Sequence, residues 1–412
     1  MRELIEALRN EGRLVDIEEE CSPHLEAPKI ASSSRTAVLF HKIGGARAVM
    51  NLISDRSTLA RALRLKPEKM AESLSRVRMN GRVVEDGHIA MKNPDLGQIP
   101  VMKFFPGEAG PYITAGIVFA ALDGVQNASV HRMLLMGRRK VVARLVEGRH
   151  TYLMHRKAIE RGEVLPVAVA IGVHPAVLFA SCTRVPSGME LDYAAELLGG
   201  EVRVRECSNG IKVPEAEIVL EGFIGRETAE EGPFVDITGT YDVVRRQPVI
   251  EFTGMYLKQD FIYHSILPAG DEHRILMGVP YEPKIFRAVG EVADVRNVVL
   301  TRGGCGYFHA VIQIRKLTQG DGKNAIMAAF ASHTSLKHVV VVDEDINPFD
   351  IEEVEYAIAT RVRGDRDILV VTNVRGSSLD PTRLEDGTNV KVGVDATMIL
   401  GEEAGFRRAG WD

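Results

Sequence analysis

Five stretches of this chain carry residues whose types and spacing could do chemistry. In QNASVHR, Asn127 offers an amide oxygen that can bind a cation, and Arg132 a fixed positive charge. Their offset of five would put them on opposite faces of a regular strand, so joint action requires a bulge or turn between them. In RLVEGRH, Arg144, Leu145, Val146, Arg149 and His150 follow an apolar strand into a glycine turn. Such a turn can hold a phosphate or a metal, although a lone turn histidine is ordinarily just solvated. Glu190 starts a stripe with Tyr193, Ala194, Leu197 and Leu198 at helical spacing. Its carboxylate is either stabilised by the helix N-terminus or a hard oxygen ligand for Mn²⁺ or Mg²⁺. In EEGPFVDITG, Glu231 and Asp236 flank a Gly-Pro turn. The intervening Phe and Val favour an inward-facing loop. An arginine between two such acids would favour ionisation of one, while burial raises the other, giving an acid and a base in one site. Finally, Lys391 lies in the apolar run NVKVGVDAT, where it snorkels or reaches a phosphate as a point charge.

These residues need a scaffold, and its texture changes twice along the chain. Residues 1–95 alternate helical patterns with short strand-like runs and predict a small α/β domain, with MRELIEALRNEGRLVDI as an amphipathic helix pattern and a further helix over 58–65. Residues 96–295 carry β-rich runs separated by turn residues, TAGIVFAAL, RKVVARLV, VAVAIGV, EIVLEGFI and PVIEFTGMYL, and predict a barrel-like middle domain. Residues 296–412 return to alternation: NVVLTRGG, HAVIQI, a helix near 323–335, HVVVVDED, a helix near 351–361, and DILVVTNV. Continuously apolar strands between helices favour an α/β sheet covered on both faces. The fold class expected is therefore α/β (α+β) in three domains.

Composition narrows the function classes. With 412 residues, 45% hydrophobic and 26% charged, the chain can bury a sizeable core. A net charge of -5 argues against an electrostatic nucleic-acid partner. Cys21, Cys182, Cys207 and Cys305 form no CxxC pair, which fits a reducing compartment without a disulfide framework or thiolate zinc site. The longest apolar run, 166–182, is interrupted by His174 and Pro175 and falls short of the ~20 residues of a membrane span. The N-terminus lacks a signal-peptide core, so a cytoplasmic protein is expected. No GxGxxG or P-loop occurs; residue chemistry alone reaches an enzyme with a carboxylate, arginine and metal-capable site.

In this order, QNASVHR, RKVVARLVEGRH, GVHP, MELDYAAELLGG, EIVLEGFI, EEGPFVDITGTY, AIATRV and VKVGVDAT resemble the UbiD family of reversible decarboxylases over nearly the whole chain. The resemblance implies a central split β-barrel domain binding prenylated FMN, a C-terminal domain used in oligomerisation, and a homo-oligomer, dimer or hexamer. It implies a divalent metal, usually Mn²⁺, and a monovalent cation, usually K⁺, at the flavin phosphate. By position, Asn127 and Glu190 resemble metal ligands, and His150 does so with a one-residue offset. Arg144, Leu145, Val146, Arg149 and His150 resemble cofactor-contacting positions, and Lys391 the phosphate-binding lysine. Glu231, Arg132 and Asp236 resemble the family's catalytic triad, with Asp236 as proton donor. The implied reaction is non-oxidative decarboxylation of an α,β-unsaturated or aromatic acid through a covalent cofactor adduct. The cofactor would come from a separate flavin prenyltransferase.

The short C-terminus resembles compact archaeal members of the modified mevalonate pathway, which convert trans-anhydromevalonate 5-phosphate to isopentenyl phosphate. Arg149, His150, His155, Arg156 and Lys157 would supply cations for such a phosphate. A 4-hydroxy-3-polyprenylbenzoate decarboxylase, a flavin-binding protein without decarboxylase activity, and a redox flavoenzyme are the alternatives.

Overall fold

The structure is a computed structural model and describes residues 1–409. It is mixed α/β throughout and divides into two compact units: residues 1–64 with 77–273, and residues 65–76 with the chain from Arg274 onward.

In the first unit, the centre is an eight-stranded sheet. Its order is Tyr112–Ile113, Met133–Met136, Lys140–Ala143, Arg245–Leu257, Ile218–Glu231, Leu165–Ile171, Ile117–Leu122 and Val125–Val130. Every one of its pairings is antiparallel. This sheet stands where the barrel-like domain was expected, but the pairing does not close: the first and last strands are the sheet's two ends. Alternate residues of its strands, among them Val118, Ala120, Val167, Val169, Leu220 and Ile250, fill one large core. Ile218–Glu231 and Arg245–Leu257 are longer than the apolar runs that announced them. They continue as a two-stranded hairpin whose register, Glu231 opposite Arg245, carries polar residues out to its tip.

The same unit holds a four-stranded sheet, Leu14–Cys21, Ala37–Ile43, Ala46–Met50 and Ile262–His264, so a strand from late in the β-rich region completes the N-terminal one. The N-terminal helix stops at Asn10, earlier than its pattern suggests: Gly12 turns the chain at φ +67°, and LVDI becomes strand. The next predicted helix runs Arg56–Ala62, shifted toward Asp55, whose carboxylate caps it by accepting from Thr58 N. The apolar run 166–182 is a strand followed by the helix Pro175–Cys182, and His174 caps that helix through Nδ1, which accepts from Ala176 N at 3.1 Å. Among the described residues no helix is long and apolar enough to cross a membrane.

The second unit is built on a five-stranded mixed sheet, Asp294–Leu300, His309–Arg315, His338–Val342, Thr388–Asp395 and Ile368–Arg375. The helices Asp321–Ser332 and Ile351–Arg361 contribute to two separate apolar clusters, each of which includes strand residues, as continuously apolar central strands require.

Candidate active site

Two polar constellations form in the first unit, and both grow from the strand Val125–Val130. Two residues, His131 and Arg132, separate its end from the next strand at Met133, and this break removes the opposite-face constraint on Asn127 and Arg132.

Arg132 is one-tenth exposed and is held by three carboxylates. Its Nε and Nη2 donate to Glu231 Oε1 and Oε2 at 2.9 and 3.0 Å, a bidentate pair. Nη1 donates to Asp236 Oδ2 at 2.9 Å and Nη2 to Asp242 Oδ2 at 2.8 Å. Four of the five N–H groups are thus used. Among the described residues the remaining one, on Nη1 beside Asp236, has no protein acceptor. The guanidinium also lies over the Phe234 ring, 4.7 Å from its centroid, and its acidic neighbours hold its pKa above the ordinary value against burial.

The turn that brings the acids together is built locally. Gly232 has φ +99°, and a Cβ there would meet Val243 O at 3.1 Å, so glycine suits both the conformation and the space. Its N–H donates to the buried Tyr112 hydroxyl at 3.1 Å. Phe234, Val235 and Ile237 are buried, as their apolar character suggested, and Phe234 packs on Tyr112 at 4.6 Å. Phe234–Val235 pairs with Tyr241–Asp242, which returns Asp242 to the arginine.

Sequence reading missed Asp242 and Arg245, whose Nη1 donates to Asp242 Oδ2 at 2.7 Å. No local pattern in the sequence marks them; the hairpin finds them in the structure, because its register sets Arg245 opposite Glu231. Burial separates the acids: the Glu231 side chain is fully buried, whereas those of Asp236 and Asp242 are 15% and 12% exposed. Only the latter two retain solvent exposure.

The second constellation joins Asn127, His150 and Glu190. Asn127 Oδ1 lies 3.0 Å from His150 Nδ1 and the same amide position lies 3.0 Å from Glu190 Oε1, while His150 Nδ1 and Glu190 Oε1 are 3.7 Å apart. His150 opens the helix His150–Glu160 and Glu190 opens Glu190–Leu197, so two helix starts face one strand. Tyr193, Ala194 and Leu197 are buried on the Glu190 stripe, and Leu198 is half-buried. Burial pushes the Glu190 carboxyl up to about 7, and its Oε2 is buried without a hydrogen-bond partner. Three lone-pair atoms at these separations, with an orphaned carboxylate oxygen, fit a hard cation. Among the described residues no cluster of three or more His, Cys, Asp or Glu is suited to a metal, so a cation here would depend on the Asn127 amide oxygen as a ligand beside His150 and Glu190.

Arg144 N donates to Arg132 O at 3.1 Å. Its half-buried guanidinium is destabilised by burial and then by Arg245 and Arg132, so an anion beside it would be welcome. Leu145 is buried, with its N–H donating to Gln247 Oε1 at 2.9 Å. Val146 is exposed in the turn leading to Arg149, the residue preceding the His150 helix. His155, Arg156 and Lys157 pair with Gly225 O, Glu160 and Asp123 respectively. Lys391 lies in the second unit, buried, with Nζ donating to the carbonyls of Thr334 (2.7 Å) and Leu336; burial lowers it to about 8.

Three family models match in succession: the 3-octaprenyl-4-hydroxybenzoate carboxy-lyase N-terminal domain over residues 5–77, its Rift-related domain over 76–271 and its C-terminal domain over 274–396. The chain is 55% identical over 414 aligned residues to an anhydromevalonate phosphate decarboxylase from Methanosarcina mazei, covering 99% of this chain and 98% of the relative. A protein of the same name from Archaeoglobus fulgidus is 54% identical, covering 89% and 86%. Among solved structures, the UbiD-class enzyme HmfF from Pelotomaculum thermopropionicum, in complex with FMN, matches with a TM-score of 0.95 at 36% identity, covering 99% of this chain and 96% of HmfF. An evolved dimeric form of HmfF in complex with prFMN matches with a TM-score of 0.91 at 35% identity, over the same shares.

Proposed function

We propose, from the premise that this chain belongs to the UbiD family of carboxy-lyases, that it decarboxylates trans-anhydromevalonate 5-phosphate to isopentenyl phosphate and CO₂. The chain is a decarboxylase by family, and the substrate follows the names of its relatives. The observation that carries the chemical reading is Arg132, locked among carboxylates with one N–H to spare beside Asp236.

That N–H would receive the substrate carboxylate, and the bidentate grip of the buried Glu231 keeps it aimed. Loss of CO₂ leaves an electron pair on the carbon that bore the carboxylate. Prenylated FMN, when bound, supplies an electrophilic ring that accepts this pair. Asp236, the partly open acid, then delivers one proton to that carbon, which becomes the terminal CH₂ of the product, and regains a proton from water. Glu231 cannot take this part, because it is fully buried and both its oxygens accept from Arg132.

Asn127, His150 and Glu190 would hold a divalent cation, Mn²⁺ in this reading, which would supply positive charge for an anionic cofactor group. Arg144 and Arg149 would add positive charge for phosphate groups. K⁺, a homo-oligomeric state and supply of the cofactor by a flavin prenyltransferase belong to the same reading. The test is substrate competition with holoenzyme: trans-anhydromevalonate 5-phosphate should release CO₂, and its dephosphorylated form should do so far more slowly. Release from a polyprenyl hydroxybenzoate alone would reject the substrate assignment.

A further inference from the structure

Asn127, Ser129 and His131 alternate along one face of QNASVHR, and Thr151 follows His150 on its helix. Together they form a closed polar chain. His131 Nδ1 is 2.8 Å from Arg144 O, and His131 Nε2 is 2.8 Å from Ser129 Oγ. Ser129 Oγ is 2.8 Å from Thr151 Oγ1, and the far end of the Asn127 amide is 3.2 Å from Ser129 Oγ and 3.0 Å from Thr151 Oγ1.

The protons in this chain can be counted. Burial drives the pKa of His131 down to about 4, so the ring is neutral at ordinary pH and carries one proton. A carbonyl only accepts, so that proton sits on Nδ1 and points at Arg144 O, leaving Nε2 as an acceptor. Ser129 is within reach of Nε2 and spends its hydroxyl proton there. The 2.8 Å contact between the hydroxyls then requires Thr151 to donate to Ser129. Both hydroxyl protons are now committed, and toward Asn127 both oxygens can only accept.

The amide must therefore turn its NH₂ to the hydroxyls, where each of its two hydrogens finds an acceptor. The reversed amide would gain donors to Glu190 and His150 and a 3.2 Å bond from Ala128 N. It would also set its oxygen against two hydroxyl oxygens while only two protons served four contacts. A cation between the amide oxygen, Glu190 and His150 removes what the reversed form has to offer.

We infer that His131, acting through Ser129 and Thr151, is a positioning residue that fixes Asn127 with its amide oxygen turned toward Glu190 and His150, as a preformed cation ligand. This rests on the cation reading given above, and it adds what sets the direction of a side chain whose two ends are nearly isosteric.

Neutron diffraction on metal-free and Mn²⁺-loaded crystals reads the amide directly. The expected map shows the Asn127 deuterons facing Ser129 and Thr151 in both states, and a deuteron on His131 Nδ1. Amide deuterons facing Glu190 in the metal-free crystal would overturn the inference. In parallel, Mn²⁺ is titrated into metal-stripped, flavin-loaded protein and the free ion followed by electron paramagnetic resonance. The double variant Ser129→Ala/Thr151→Val should bind Mn²⁺ about 10- to 100-fold more weakly, as loss of an orienting partner ordinarily does. Thr151→Ser, which keeps the hydroxyl, should stay within about threefold of wild type on the same grounds. Wild-type affinity in the double variant would refute the orienting role. A wild-type protein that took up no Mn²⁺ would refute the cation reading itself, and the neutron map would still judge the amide's direction separately.

Discussion

Replacing Asp236 by Asn separates proton delivery from mere support of Arg132. The carboxylate has two jobs in the structure: Oδ2 accepts from Arg132 Nη1 at 2.9 Å and Oδ1 from Ile237 N at 2.7 Å. An amide can serve only one of them, so one donor loses its partner. A charge-assisted hydrogen bond to a largely buried group is worth about 1.5–3 kcal/mol, and the partial exposure of Asp236 argues for the lower end. Losing a general acid costs more in rate, about 10²- to 10⁴-fold in kcat. Asp242→Asn is the matched control, since Asp242 accepts from Arg132 and from Arg245 at 2.8 and 2.7 Å but delivers no proton in this account. Steady-state CO₂ release and thermal unfolding of both variants then separate the effects. Asp242→Asn should lose at least as much stability and far less kcat. Equal losses of kcat in the two variants would refute the reasoning, because Asp236 would then be only another clamp on the arginine.

Three further outcomes follow from other parts of the structure. Gly232→Ala should lower stability by about 1–2 kcal/mol for a left-handed backbone position, with a further penalty from the close approach to Val243 O, measured by denaturant unfolding. Glu190→Gln should abolish tight Mn²⁺ uptake by the flavin-loaded protein, seen by metal analysis, while leaving the far-ultraviolet circular dichroism unchanged. His174 should contribute to acid sensitivity: burial lowers it to about 4 from an ordinary 6.5, and its helix cap needs Nδ1 unprotonated. The unfolded chain binds this proton first as pH falls, so the contribution is present above pH 6.5 and lost progressively toward pH 4. His174→Asn keeps a capping oxygen without the titration and should recover about 1–2 kcal/mol of stability at pH 4.5, after allowance for partial solvent screening. Unfolding curves at pH 7.5 and 4.5 check this.

The elements that carry local signals were legible in the sequence. Apolar runs marked the strands of the central sheet, and helical spacing marked the buried stripe of Glu190. The stopping points were not, because Gly12 and the Asp55 cap act on single residues and shift helix ends without changing the hydrophobic period. The long hairpin escaped for a related reason: its outer half, with exposed Glu227, Thr228 and Arg246, has no apolar alternation to detect. Asp242 and Arg245 escaped with it. Arg132, Glu231 and Asp236 could be singled out as types, but which acid is buried depends on Tyr112, Phe234 and the turn at Gly232, contacts that span more than a hundred residues. The same holds for the ring of Ser129, His131 and Thr151. Each is unremarkable in sequence, and only the approach of helix His150–Glu160 to the strand makes them one network.

The central claim is that this chain removes CO₂ from trans-anhydromevalonate 5-phosphate and puts a proton in its place. Turnover by the prenylated-FMN holoenzyme in D₂O tests it most directly, with CO₂ and the isopentenyl phosphate product quantified together. The account predicts equimolar CO₂ and product, with one deuteron on the terminal CH₂ for each turnover. Holoenzyme that releases no CO₂ from this substrate, or yields product without deuterium at that carbon, would contradict it.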